Sequence, residues 1–226
     1  MNENRKPSGG FANFWEYHKI PIIVAVIAAA LLIFFLVRGS SNPAPDADLL
    51  YIGPKSFTVA QIDSVNAAMT EKIITADHNS DGKIVSDLMS LVTKIKGVDE
   101  DGETVFDPAF MEEFRLEMQS GDTVIFIVEN EALYDSLMID DLLMPLEEIF
   151  GETPENAADP FSFRFGDLDL CKLDALDCFS KNARLCVRYP RVVNGVASDQ
   201  AKKLTEYNLK VFRDMIAYSF RLSDNK

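Results

Sequence analysis

DPAFMEEFRLEMQSGDTVIFIV, residues 107–128, holds a whole helix and a whole strand with the stop between them. Asp107 is a helix cap, and Pro108 suits the first helical position, where a missing N–H costs nothing. Phe110, Phe114 and Met118 recur at a helical period, and Gly121 ends the run. Val124–Val128 then reads VIFIV without a polar residue. A strand that is apolar on both sides must be covered on both faces, as in a parallel sheet between helix layers.

Upstream, Leu49-Leu50-Tyr51-Ile52 is a second buried strand, stopped by Gly53-Pro54. Thr58-Val-Ala-Gln61 has capping-box form, and Ile62, Val65, Met69 and Ile73 follow at helical spacing. A turn-rich loop, Asp77–Gly82, precedes Lys83–Ile95, whose β-branched content predicts a strand. Downstream, Glu131–Leu137 starts another helix, and Leu142–Phe150 is an apolar surface broken by Pro145. Gly151–Pro160 is loop. Phe163–Leu170 and Arg184–Tyr189 alternate like strands, and Leu204, Val211, Phe212, Met215 and Ile216 give a closing helix over Ser198–Arg221. The expected fold class is α/β: a mainly parallel sheet of about five strands with helices on both faces.

Composition bounds the function. The 226 residues carry 36 acidic and 22 basic side chains, net −14, with 47% hydrophobic and 10% aromatic residues. So much apolar material excludes disorder of the whole chain. The sequence pI of about 4.5 argues against nucleic acid as a partner, because phosphate recognition needs a basic footprint. Two histidines and three cysteines leave little for a zinc site or a histidine-based centre. No G-x-S-x-G, P-loop, H-E-x-x-H or G-x-G-x-x-G sequence occurs, and a non-catalytic protein is expected.

Ile20–Val37, IPIIVAVIAAALLIFFLV, is 18 residues without a charge. As a helix it spans about 27 Å, close to the hydrocarbon thickness of a bilayer. Phe11, Phe14, Trp15, Tyr17 and His18 form an interfacial aromatic cluster before it, and Arg5, Lys6 and Lys19 put that side in the cytoplasm. The run is longer than a signal-peptide core, and its small residues, Ala28–Ala30, lie in its middle. The expectation is a single-pass cell-membrane protein with four parts: a cytoplasmic tail (1–19), a transmembrane helix (20–37), a linker (38–48) and an extracytoplasmic α/β domain (49–226). After Arg38 there remain 18 basic and 34 acidic side chains, net −16.

Phe106–Phe150 resembles the extracellular solute-binding proteins of bacterial transport systems, in which a helix ends in a small residue, a strand follows, and the next helix carries a leucine-leucine-x-proline-leucine phrase. Here these are Gly121, Val124–Val128 and Leu142-Leu143-Met144-Pro145-Leu146. The opening NFWEYHKI, the anchor and LLYIGP look like small membrane-anchored bacterial envelope proteins. The resemblance implies one lobe of type 2 periplasmic-binding-like architecture. A complete solute-binding protein has two such lobes closing on a ligand, and the chain supplies one.

Candidate sites follow from spacing. Asp77, Asn79 and Asp81 place oxygen donors at positions 1, 3 and 5 of a calcium loop, Gly82 makes its turn, and Lys83 offers a carbonyl at position 7. Position 12 is Leu88, so the nearest carboxylate is Asp87. An Asx-rich turn explains the same residues without an ion. In open α/β sheets, ligands bind outside the carboxyl ends of the strands. There Gly53, Ser56, Glu129 and Asn130 offer close backbone approach and polar groups to a small solute. Gly-Pro turn chemistry and helix capping by Asn130 are the plainer explanations. Arg184, Arg188 and Arg191 form a basic cluster whose chemistry suits a bidentate clamp on a carboxylate or phosphate, but pairing with the abundant carboxylates, such as Asp167 and Asp169, is expected. For Cys171, Cys178 and Cys186, one disulfide with a leftover thiol and three small apolar side chains both fit. The reading is thus a membrane-anchored, non-catalytic binding module: either a reduced solute-binding lobe or an assembly component docking another cell-envelope protein.

Overall fold

A computed structural model of the protein describes residues 45–120, 122–190, 192–193 and 196–223. The apolar span Ile20–Val37, Gly121 and Arg191 lie outside the described residues. Among the described residues, no helix is long and apolar enough to cross a membrane.

Strand β1 (Ala47–Gly53) begins two residues earlier than its apolar run suggests. Helix α1 (Val59–Ala68) starts on Thr58, whose capping box with Gln61 is formed in both directions. A single widened turn, Met69–Ile73, extends it and brings Ile73 and Ile74 into the core. Strand β2 (Ser86–Val92) is followed by a hairpin, β3 (Ile95–Val98) and β4 (Thr104–Phe106). Helix α2 (Pro108–Ser120) is capped by Asp107, whose Oδ1 accepts from the N–H of Ala109 at 2.9 Å. Then come β5 (Ile125–Val128), α3 (Glu131–Ile139), α4 (Leu146–Phe150) and β6 (Ser162–Arg164). Three short 3₁₀ turns precede β7 (Arg184–Val187), a two-residue hairpin pair, β8 (Val192–Val193) and β9 (Val196–Ala197), and the long α5 (Asp199–Ser223).

The main sheet runs β2-β1-β5-β7-β6. β1 is parallel to both β2 and β5, while β7 is antiparallel to both β5 and β6. Four of the five strands therefore share one direction. The sheet is mainly parallel, as expected, with β7 inserted against the grain. Side-chain alternation splits the core into two layers. Leu49, Tyr51, Ile125, Ile127, Leu185 and Val187 face α1 and α5, which add Val65, Val211, Phe212 and Met215. Leu50, Ile52, Phe126, Val128 and Cys186 face α2 and α3, which add Phe110, Phe114, Leu133 and Leu137. Helices cover both faces, so VIFIV has no side to leave polar.

Two strand expectations are corrected. Lys83–Ile95 does not form one strand. The N–H of Thr93 still donates to Gly53 O at 2.8 Å, but Lys94 O accepts from Asp107 N at 2.7 Å, so the chain leaves the sheet there. Phe163–Leu170 is strand only to Arg164. Gly166 lies against the backbone of Lys181, where an added Cβ would be 2.7 Å from Lys181 O, and the chain winds into 3₁₀ turns.

Candidate functional site

The register Ile52↔Val128 carries the carboxyl ends of β1 and β5 to one rim. α1 leaves that rim to one face of the sheet and α3 to the other, which makes it a topological switch point. Gly53, Glu129 and Asn130 are brought together there, with Ser56 exposed nearby.

The rim is occupied by the protein itself. Glu129, whose side chain is only 6% exposed, accepts the N–H of Ser180 at 2.6 Å and faces Lys55 Nζ at 3.5 Å. Lys55 Nζ donates to Cys178 O at 2.8 Å, and its backbone N–H donates to Tyr51 Oη at 3.1 Å. Tyr51, Phe57 and Phe179 form an aromatic cluster with centroids 4.7 to 5.9 Å apart. Burial pushes the Tyr51 phenol far above its usual range, and neighbouring Glu129 adds to the effect. A Cβ added at Gly53 would stand 2.3 Å from Tyr51 Oη and 2.9 Å from Glu129 Cβ. Not even a methyl group fits. Asn130 caps α3, its Oδ1 accepting from Leu133 N at 3.1 Å.

Beside the rim, Arg184 pairs with Glu131 at 2.8 Å and Asp159 at 3.2 Å, and its guanidinium lies 5.3 Å from the Tyr134 ring centre. Arg184 thus pairs with carboxylates, as expected of the cluster, though with Glu131 and Asp159; Asp169 meets Lys172. Arg188 is buried, donates to Met118 O at 3.3 Å near the end of α2, and lies over Phe126. No disulfide links the cysteines: Cys171, Cys178 and Cys186 are all free, and burial raises the thiol pKa of Cys178 and Cys186.

The Asp77 loop is built from Asx hydrogen bonds. Asp77 accepts from Ser80, Asp81 and Gly82, Asn79 Oδ1 from Asp81, and Asp81 Oδ1 from Lys83. Gly82 has φ +89, the left-handed value its position demands. Asp46, completely buried, holds the loop from inside by accepting from His78, Asn79 and Val85. Asp87 lies on β2 and is exposed, while Leu88, at the position of the missing bidentate acid, is buried in the core. Among the described residues, no group of three or more His, Cys, Asp or Glu side chains stands ready for a metal ion.

An open hollow lies elsewhere among the described residues. Between α2 and the turn after α3 runs a hollow of about 560 Å³, lined by Met111, Phe114, Arg115, Met118, Asp140 and Leu142 among others. Met111, in this lining, is 38% exposed. Sequence reasoning used the Phe110–Phe114–Met118 stripe for the core and missed this second use. The signal was Met111, an apolar residue off the stripe. Compared with known proteins, the chain matches no family model, no curated protein and no solved structure.

Proposed function

We propose that the protein is a membrane-anchored, non-catalytic module whose extracytoplasmic domain docks another cell-envelope protein. The observation that carries this reading is the contrast between the two surfaces. The switch-point crevice, where a small solute would sit, is filled by Glu129, Tyr51, Phe179 and Ser180, whereas an apolar hollow stays open along α2. Small-molecule sites bury most of their ligand, and a filled rim offers no such enclosure. Exposed apolar patches mark interaction sites for proteins, membranes or ligands, and this one lies open along a helix instead of enclosing a ligand. The anchor at Ile20–Val37 and its flanking charges support the cellular placement. The absence of nucleophile motifs from the sequence and the raised thiol pKa values support a non-catalytic role.

Site-specific photo-crosslinking in intact cells tests the reading. A crosslinker at position 111, in the lining of the hollow, is expected to capture one discrete envelope protein, and one at Ser56 is not. The solute-binding lobe is the alternative. A metabolite that raises the melting temperature, with the rise lost in Glu129→Gln, would establish it and displace the docking role.

A further inference from the structure

The partner's chemistry is written on the walls of the α2 hollow. Its floor is apolar and adaptable: Met111, Phe114, Met118 and Leu142, with methionine side chains that can mould to differently shaped partners. From Pro108 to Gln119, α2 offers about 17 Å of helix, enough to lie against roughly three turns of another helix.

The charged residues of the lining are net negative, Glu112 and Asp140 against Arg115. Arg115, the basic residue in the lining, is engaged within its own helix by Glu112 at 2.6 Å and Gln119 at 2.8 Å. The opposite wall is the turn after α3, residues 140–142, which holds two acidic side chains and no basic one. Of these, Asp140 lines the hollow, Asp141 follows it, and both are exposed. The part of the chain after Arg38 has net charge −16, so the long-range field repels an anionic partner and draws a cationic one.

We propose that the hollow along α2 receives a cationic amphipathic helix of the partner protein, its apolar face on Met111, Phe114, Met118 and Leu142 and its basic residues against Asp140 and Asp141. The inference rests on the docking function proposed above and specifies its occupant. Helix-in-groove recognition divides the work in this way: apolar anchors at helical spacing supply affinity, and flanking charge selects the partner.

The test uses the full chain in phosphatidylcholine nanodiscs, with empty nanodiscs as the blank. The probes are two fluorescein-labelled helical peptides of about four turns, one of leucine and lysine and one of leucine and glutamate. Fluorescence anisotropy should show saturable binding of the leucine–lysine peptide, weakened at least about tenfold by Met111→Lys. Asp140→Lys, at an exposed position, should weaken the leucine–lysine peptide and strengthen the leucine–glutamate one. That reciprocal change requires a folded domain, so it separates a binding effect from misfolding. If both peptides bind wild type equally and both are lost in Met111→Lys, the cationic assignment is overturned while the docking function stands. Binding of the leucine–lysine peptide that is indifferent to both substitutions overturns the assignment of the hollow itself. Failure of both peptides to bind overturns the amphipathic occupant, and the crosslink from position 111 then decides the docking function separately.

Discussion

Replacing Asp48 by asparagine should make the protein more stable at neutral pH. Asp48 is directly opposite Asp87 in the β1–β2 register. Burial, followed by the nearby charges of Asp87 and Asp122, lifts its pKa from 3.8 to about 6. A carboxyl with a raised folded-state pKa favours the fold when protonated. Its stabilising contribution is complete below pH 3.8 and is lost as pH rises through about 6. The full shift corresponds to about 3 kcal/mol at 1.36 kcal/mol per pH unit. Asp48 is only partly buried, and solvent screening reduces this to about 1–2 kcal/mol. Asparagine keeps the shape, removes the charge, and leaves the bond from the Asp48 backbone N–H to Asn208 Oδ1 in place. Urea unfolding of residues 45–226, followed by circular dichroism, should therefore show Asp48→Asn more stable than wild type by about 1–2 kcal/mol at pH 7.5. The two proteins should coincide near pH 3.5. A variant no more stable than wild type at pH 7.5 would refute the reasoning. So would a gain that persists undiminished at pH 3.5, because the benefit would then not come from removing a charge.

Other expected outcomes follow from single contacts. Asp46→Ala strands the backbone N–H groups of His78, Asn79 and Val85 in a buried place and should cost about 3 kcal/mol or more by urea unfolding. Gly53→Ala should destabilise by about 1–3 kcal/mol, because the added methyl meets Tyr51 and Glu129; an unchanged midpoint would mean the rim has room after all. Millimolar calcium and a chelator should give the same melting curve, since Leu88 replaces the bidentate acid of a calcium loop; a calcium-dependent rise abolished by Asp81→Ala would put an ion there. Protease added to intact cells should digest the domain after Asp46 and spare the N-terminus, whereas a mature protein beginning after Arg38 would replace the anchor by a cleaved signal peptide.

Much of the fold was legible in the sequence because its signals are local. Thr58, Asp107 and Asn130 each take a backbone N–H two or three residues ahead, so their spacing alone announces a helix start. The runs LLYI and VIFIV leave no polar side, so helices on both faces were required before any coordinate was known. The candidate site was legible only as a place. β1 and β5 do meet at one rim, but what fills that rim comes from far along the chain: Ser180 lies 51 residues after Glu129, and Cys178 lies 123 after Lys55. The direction of β7, the partners of Arg184 and the three N–H groups gathered by Asp46 were equally out of reach. The sequence by itself determined most of the helices and the buried strands β1 and β5, because caps, turns and periodicity act over a few residues. Tertiary structure alone decided strand order, the closure of the crevice and the open hollow on α2, because each depends on side chains that only the folded chain brings within reach.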